Sequence, residues 1–520
     1  MNKLILAIII SVIIITSGVG VYLISRKTVS PDSSGNKTVP IGNKSTSPKI
    51  TTFEECAKVG YPILGSNPRQ CKTPDGKTFT EAIETPFPDK DEKADGIVPE
   101  NKKSVDDGIN HIGVDYVWYG QNQYTKKEYV PVLAEYMKDL DVKFLRVDIF
   151  WEFVEPSNGS YDWSNTDTIV NTLPPDTDLL FTIYSSADWA VKGLTDANGK
   201  RKTTSAPPEN IQNYYNFVFD MSNRYKGKVK YYQIENEVYG APNNFWNGTK
   251  EEYLSLFKNG VSAIRKADPN AKILVSSVAL ADFDVNDKAL STNVTARNAQ
   301  NFMNYIFKNG CSYFDVADLH LYYTLDSIPD RLSWFKNSIL ASNNCSKPIW
   351  VTETGGLDPR AYAKNNNDSS LQAEDLVKRF VLIFANGAER AYWLHVHNTR
   401  DDVKDVVWGP MRLSEDAYVK QKKPGYYSLE ILIDKIGKFS SVSKIKDGYK
   451  FIVNGKPVLV MWSDSEKSID ISSEIKSSEV RISHIVKKVT SEYKPIYTPD
   501  KIGRSDNVSI SKDPIFIEAK

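Results

Sequence analysis

The sequence predicts an α/β fold, an eight-stranded (β/α)8 TIM barrel over residues 108–440. Nearly continuous apolar runs recur along this region, which is typical of parallel strands buried on both faces. Amphipathic helical patterns lie between the runs, as in a barrel of eight β/α units. Doubly wound sheets also alternate, but no G-x-G-x-x-G follows the first run. The predicted strands are 111–120, 142–151, 178–186, 229–237, 272–280, 314–323, 348–355 and 389–397.

Two of the predicted helices begin with a capping box, in which a Thr side chain and a Glu side chain each bond the other residue's backbone N–H. These boxes are Thr249 with Glu252 and Thr125 with Glu128. They place helices after the fourth and first strands.

The N-terminus carries an apolar segment from Leu4 to Ile24 without a charged residue, long enough to cross a bilayer as a helix. We therefore interpret residues 1–27 as a transmembrane anchor or a signal peptide. The length of the segment and the lack of an A-x-A-like cleavage site favour an anchor. The expected location is the cell membrane, with a single-pass N-terminal helix and the rest of the chain outside the cytoplasm; secretion is the alternative.

Two polar linkers and a small module precede the barrel. Residues 28–52 are rich in Ser, Thr, Pro, Asn and Gly, a composition typical of disordered linkers. Residues 53–83 contain Cys56 and Cys71, which predict a disulfide because two thiols alone make a poor zinc site. A second linker spans 84–107.

The other cysteines, Cys311 and Cys345, precede the sixth and seventh predicted strands. If these strands are parallel neighbours, the two thiols share one end of the sheet and can pair. The alternative is two unrelated buried thiols.

The C-terminal residues 441–520 predict a small β-sandwich packed on the barrel. Short strand patterns recur there, and two of them flank an Asn-Gly turn signal at 454–455. A stabilising role is favoured over carbohydrate binding because no exposed aromatic triad stands out.

The chain has 520 residues and a formal net charge of zero, which argues against a nucleic-acid partner or a polybasic membrane surface. It is rich in aromatic residues, with 28 Tyr, 21 Phe and 10 Trp, whose flat rings suit both core packing and stacking on sugars. Packing accounts for most of them.

Candidate functional residues cluster where the predicted strands end, because the chemistry of such barrels lies at the C-terminal ends of the strands. Glutamates end strands four and seven, and a pair of carboxyls is what glycosidic bond cleavage requires. Strand alternation places Glu235 and Glu237 on the same side, so spacing alone does not choose between them. The other polar and aromatic residues at these ends are Arg146, Asp148, Tyr184, Asp188, Asn236, His320, Tyr322, Trp393, His395 and His397.

Four blocks resemble the retaining (β/α)8 glycoside hydrolases that carry catalytic glutamates on strands four and seven, with families 39 and 5 the most similar. The blocks are "FLRVDIFWEFVEPSNGSYDWS", "QIENEVYG", "DLHLYY" and "WVTETGG". "QIENE" is also similar to family 35 β-galactosidases. Many relatives have proline where this chain has Val238.

The resemblance implies roles for seven residues. Glu237 would be the acid/base and Glu353 the nucleophile. Asn236 would bond the sugar 2-hydroxyl and Arg146 would orient Glu353. The −1 subsite would be formed by His320 and Tyr322, with Trp393 as its floor.

The sequence thus predicts a retaining glycoside hydrolase that acts by double displacement on an oligo- or polysaccharide outside the cytoplasm, with no cofactor. No H-E-x-x-H motif or Cys/His cluster suggests a metal. The alternative is a non-catalytic cell-surface carbohydrate-binding or adhesion protein on a glycosidase scaffold. The sugar, the linkage, endo or exo action and the oligomeric state stay open.

Overall fold

A computed structural model describes residues 50–59, 61–64, 70–80, 110–116, 129–196, 198–239, 245–279, 293–322, 324–356, 368–397 and 412–520. The chain divides into two compact units, 1–84 and 85–520. The predicted anchor or signal segment and both predicted linkers, apart from residues 50–52, lie outside the described residues. Within the described ranges, no helix combines the length and the apolar character needed to cross a membrane.

The first unit contains a short helix and a three-stranded antiparallel sheet with strands in chain order. Its elements are α1 (Phe53–Lys58), β1 (Ile63–Leu64), β2 (Gln70–Lys72) and β3 (Thr78–Thr80). The Thr52 side chain caps α1 by accepting a bond from the Glu55 N–H at 3.2 Å. A disulfide joins the buried Cys56 and Cys71 and so fastens the helix to the central strand. The predicted pairing is confirmed.

The second unit contains a parallel sheet whose order is β8-β7-β6-β5-β4-β12-β11-β10-β9. The strands are β4 (Ile112–Tyr116), β5 (Phe144–Phe150), β6 (Asp178–Tyr184), β7 (Val229–Ile234), β8 (Lys272–Leu274), β9 (Val278–Ala279), β10 (Ala317–Leu321), β11 (Ile349–Thr354) and β12 (Arg390–Trp393). The outer strands β8 and β9 are two pieces of one segment, 272–279, which pairs with β7 on one side and β10 on the other. The sheet therefore curls until its edges meet, and the predicted TIM-like α/β fold is confirmed.

The fifth predicted strand is split because two of its middle residues hydrogen-bond to side chains rather than to a neighbouring strand. The Ser276 N–H donates to the Tyr253 hydroxyl at 3.1 Å, and the Ser277 hydroxyl bonds the Asn236 side chain at 3.0 Å. The fourth strand ends at Ile234, earlier than predicted, because Glu235 leaves the extended conformation with a φ of 65°.

Helices follow the strands on the outside of the curled sheet. The α-helices among them, in the described part of the chain, are α2 (Val130–Asp139), α3 (Trp151–Val154), α4 (Ser164–Thr172), α5 (Ile211–Arg224), α6 (Lys250–Ala267), α7 (Val294–Gly310), α8 (Ile328–Trp334), α9 (Ser369–Ala385) and α10 (Pro424–Ile436). The capping box of Thr249 and Glu252 forms at the start of α6, as predicted. The Thr125 and Glu128 box lies outside the described residues.

The C-terminal strands form two antiparallel sheets. They are β13 (Phe439–Ile445), β14 (Gly448–Val453), β15 (Lys456–Met461), β16 (Lys467–Ile469), β17 (Glu479–His484), β18 (Lys501–Arg504), β19 (Val508–Ile510) and β20 (Ile515–Ala519). Six pair in the order β13-β14-β15-β20-β17-β18, and β16 pairs with β19. The predicted turn joins β14 to β15, with φ of 50° at Asn454 and 72° at Gly455, as a type I′ hairpin requires.

Alternate residues of β15 show how these sheets are anchored. Val458 and Val460 belong to the same apolar core as the barrel helices, whereas Leu459 and Met461 face a second, smaller core. The six-stranded sheet is thus buried against the barrel on one face and covers a small core with the other.

The second predicted disulfide is also present: Cys311, directly after α7, bonds Cys345, which precedes β11. The bond closes a loop with a sequence separation of 34. In the chain-entropy account, a loop of that size restricts the unfolded chain substantially.

Replacing both Cys311 and Cys345 by Ser should lower the free energy of unfolding by about 4 kcal/mol, because the 34-residue loop is then open in the unfolded state. The measurement is the urea midpoint of the barrel transition. The matched control, serines at Cys56 and Cys71 in the other compact unit, should leave that transition unchanged. An unshifted midpoint for the Cys311 and Cys345 variant would contradict a stabilising role for this disulfide.

Candidate active site

The structure brings Glu237 and Glu353 together. Glu353 lies on β11, and Glu237 follows β7 by three residues. One oxygen of each carboxyl and one ring nitrogen of His320 all lie within 4.8 Å of one another. A separation of about 5–5.5 Å suits direct attack by one carboxylate, whereas inverting enzymes leave about 6.5–9.5 Å for a water. One oxygen of Glu237 and one of Glu353 are therefore closer together than the separation that leaves room for a water.

His320, on β10, lies between the two carboxyls. Its Nδ1 is 2.6 Å from Glu237 Oε1 and 3.4 Å from Glu353 Oε2. Its Nε2 is 3.2 Å from the Thr352 hydroxyl. Burial lowers the pKa of His320, but the charge of Glu353 and the bond to Glu237 outweigh it and raise the pKa to about 9. The ring is thus an imidazolium at neutral pH.

Two donors hold Glu353 in its ionised form. Arg146 Nη1 donates to Oε1 at 2.6 Å, and the Tyr322 hydroxyl donates to Oε2. Burial alone would raise the pKa of Glu353. The charges of His320 and Arg146, together with these two bonds, outweigh burial and hold that pKa below its ordinary value.

Arg146, on β5, is fully buried and reaches four other strands or strand ends. Besides Glu353, it bonds Asp115 Oδ2 at 2.5 Å, Asn236 Oδ1 at 2.9 Å and the Thr182 hydroxyl at 2.9 Å. A buried charge is tolerated only when it is paired and hydrogen-bonded, and a planar guanidinium supplies enough donors for all these partners. The bond from Arg146 to Asn236 Oδ1 also fixes the orientation of the Asn236 side chain.

The site includes polar residues that the sequence alone did not identify. They form a continuous network in which Thr182 bonds Gln233 at 2.9 Å, and Gln233 and Thr352 each bond Asp318 at 2.6 Å. These residues and Asp115 share one sequence signal: each lies inside an otherwise apolar strand, on β4, β6, β7, β10 or β11. A polar residue in such a run must find a partner inside the barrel.

Asp148 and Tyr184 lie at the edge of the network. Asp148 Oδ1 is 3.5 Å from Arg146 Nη2 and accepts a bond from Tyr184 at 3.2 Å. Burial raises the pKa of Asp148 to about 6, although Arg146 opposes the rise. Asp188, in contrast, pairs with Arg201 at 3.1 Å and is exposed.

Trp393, predicted as the floor of the −1 subsite, is fully buried and its ring lies 6.2 Å from that of Phe380. Stacking on a sugar would require its neighbours to move, so this role stays a prediction. His395 and His397 are also buried. Burial and the nearby charge of Arg412 lower the pKa of both, to about 3 for His397, so both rings are neutral.

The oxygens of Glu237 and Glu353 and the nitrogen of His320 are close enough to hold a metal ion. A histidine ligand must be neutral, so metal binding would require His320 to release the proton that it holds between the two carboxyls. The expectation that no metal is used stays a prediction.

No protein-family model matches the sequence. Three solved structures are similar to it. A family 39 glycoside hydrolase from the gut symbiont Bacteroides cellulosilyticus WH2 is 15% identical, with a TM-score of 0.56 over 80% of this chain and 82% of that one. A glucosidase from Croceicoccus marinus is 11% identical, with a TM-score of 0.49 over 79% and 95%. Xylanase 10B from Thermotoga petrophila RKU-1, in complex with xylobiose, is 16% identical, with a TM-score of 0.41 over 63% and 95%.

Of these three, the family 39 structure exceeds a TM-score of 0.5, and at 15% identity it establishes a shared fold. The predicted resemblance to the (β/α)8 glycoside hydrolases is thereby confirmed at the level of architecture.

Replacing Arg146 by Met should lower the free energy of unfolding by about 3–5 kcal/mol at neutral pH, because the buried carboxyls of Asp115 and Glu353 lose the guanidinium that both contact. The loss should shrink as the pH falls, since protonated carboxyls tolerate burial. Denaturant midpoints at neutral and acidic pH test this. Arg504→Met, at a side chain 78% exposed, is the control and should not shift the midpoint. Equal losses at both pH values would rule out the electrostatic explanation.

Proposed function

We propose that the protein is a retaining glycoside hydrolase that cleaves O-glycosidic bonds by double displacement, with Glu353 as nucleophile and Glu237 as acid/base. The observation that carries the proposal is the approach of their oxygens to within 4.8 Å at one end of the parallel sheet. This spacing suits attack by one carboxylate on the sugar carbon whose leaving oxygen the other protonates.

Glu353 is prepared as a nucleophile because it is ionised and fixed. Arg146 and Tyr322 bond one oxygen each, which holds the side chain in one orientation. A carboxylate oxygen can accept more than one bond, so a lone pair is left for attack on the sugar. The cationic His320 and Arg146 also stabilise the carboxylate when it leaves in the second step.

Glu237 obtains and returns its proton through His320. The 2.6 Å contact between Glu237 Oε1 and His320 Nδ1 lets one proton be shared between them. In the first step Glu237 delivers this proton to the leaving oxygen. In the second step the Glu237 carboxylate removes a proton from the water that attacks the covalent intermediate.

Asn236 is placed to bind the sugar beside the reacting carbon. Its Oδ1 accepts bonds from Arg146 at 2.9 Å and Ser277 at 3.0 Å. The amide NH2 is then the group that donates to a sugar hydroxyl, in agreement with the role expected for the 2-hydroxyl.

The proposed substrate is an oligo- or polysaccharide outside the cytoplasm. The two disulfides support this location, because such bonds persist mainly in oxidising compartments. Attachment to the cell membrane through residues 4–24 is part of the proposal and rests on the sequence alone. The reaction needs no cofactor.

Glu353→Ala should abolish turnover of whichever aryl glycoside the parent cleaves, because no nucleophile remains. Azide should restore turnover by occupying the space of the lost carboxylate. The assay is release of the aryl group across a panel of glycosides and polysaccharides. Glu466→Gln, at an exposed position directly before β16, is the control and should retain full activity. A parent that binds sugars but cleaves none would favour the non-catalytic alternative.

The pH profile should depend on His320. The parent should lose kcat/KM as the pH rises through about 9, where His320 loses its proton. Its acid limb should lie below the ordinary range of a glutamate, because the pKa of Glu353 is lowered. His320→Gln removes the charge that lowers that pKa most, so the acid limb should move to higher pH.

His484→Gln, in the C-terminal sheets, is the matched control for the pH profile and should leave both limbs in place. An acid limb that does not move in His320→Gln would show that the imidazolium does not control Glu353.

A further inference from the structure

A second buried carboxyl lies next to the proposed acid/base. Glu235 follows β7, has 0% exposure and precedes Glu237 by two residues. Glu235 and Glu237 have φ of 65° and 45°, in the left-handed region that non-glycine residues rarely occupy. Such a backbone persists only when the surrounding contacts hold it.

Three segments meet at the Glu235 carboxyl. The Ser185 N–H, directly after β6, donates to Oε1 at 2.6 Å. Oε2 lies 2.5 Å from the Ser205 hydroxyl. Ser205 is tied in turn to the segment before α6, through its N–H to Phe245 O at 2.8 Å and a parallel bridge to Trp246. The carboxyl therefore joins the ends of β6 and β7 to the start of α6.

The proton count at Ser205 indicates which form Glu235 takes. The Ser205 oxygen is 2.5 Å from Glu235 Oε2 and 2.7 Å from the carbonyl oxygen of Phe245. A hydroxyl has one proton, and an ionised Glu235 could only accept. In one of the two contacts, lone pairs of two oxygens would then face each other with no proton between them. A proton on Oε2 removes the conflict, because Glu235 then donates to Ser205 at 2.5 Å and Ser205 donates to the Phe245 carbonyl oxygen at 2.7 Å.

The surroundings also favour a neutral acid. Within the described ranges, the titratable side chains that interact with Glu235 are the phenols of Tyr214 on α5 and Tyr253 on α6, both neutral. Arg201, on the same segment as Ser205, is committed to Glu152 at 2.9 Å and to Asp188. Burial raises the pKa of Glu235 to about 8, although its hydrogen bonds with Ser205 and Ser185 oppose the rise.

We propose that Glu235 is a protonated positioning residue, a neutral carboxylic acid whose O–H donates to Ser205 and which holds the backbone that carries Glu237. The positioning part rests on the proposed glycosidase function. The protonated state does not, so the two parts are tested by different measurements.

Glu235→Gln tests the protonated state. The amide still accepts from Ser185 and donates to Ser205, but it cannot ionise. In the parent, the folded state keeps a proton that the unfolded state loses between the ordinary value of 4.5 and about 8, so the parent loses stability as the pH rises through this window. The Tm of Glu235→Gln minus that of the parent should therefore increase with pH across the window and then level off.

Glu466→Gln makes the same chemical change at an exposed site, and its Tm difference from the parent should be independent of pH. A pH-independent Tm difference for Glu235→Gln would overturn the proposal.

Activity tests the positioning role. Glu235→Gln should keep kcat within about threefold of the parent, whereas Glu235→Leu should lose roughly 10- to 100-fold in kcat with a smaller change in KM, since small misplacements of a catalytic group have effects of that size. If Glu235→Leu does not fold, Ser205→Ala removes the same hydrogen bond. This variant should also lose more in kcat than it changes in KM. If Glu235→Leu or Ser205→Ala is as active as Glu235→Gln, the positioning role is overturned. A parent inert on every glycoside would overturn the glycosidase proposal, and the Tm comparison would still decide the state of Glu235.

Discussion

The buried guanidinium of Arg146 is the interaction on which the rest of the site depends. It is fully buried and bonds side chains from β4, β6 and β11 as well as Asn236, which follows β7. A charge in that position is tolerable only because Asp115 and Glu353 neutralise it and because its remaining donors are bonded. The same bonds fix Glu353, the proposed nucleophile, and the amide of Asn236, so the stability of the barrel interior and the geometry of the site have one origin.

The site distributes protons unequally among closely spaced groups. Glu353 is held ionised by Arg146, Tyr322 and the cationic His320, while His320 shares a contact with Glu237. In our account Glu235, only two residues from Glu237, is neutral because burial dominates and no cation approaches it among the described residues. Environment rather than residue type thus assigns separate roles to three glutamates, as pairs of carboxyls in acid–base sites generally require.

Much of this could be predicted from the sequence, and the parts that could not have physical reasons. Continuous apolar runs identified the strands, and the Asn-Gly pair at 454–455 identified its hairpin, because both signals are local. The network of Thr182, Gln233 and Asp318 was missed because a single polar residue in an apolar run shows no partner until the sheet curls. Glu235 and Glu237 share one strand face by alternation, and only the left-handed backbone after Ile234 separates their environments.

The most direct measurement is to trap the covalent intermediate. A 2-deoxy-2-fluoro glycoside of the sugar that the parent cleaves should accumulate as a glycosyl-enzyme, and mass spectrometry of the digested protein should place the adduct on Glu353. An adduct on another residue would contradict the account, as would a sugar released with inverted anomeric configuration and no adduct at all.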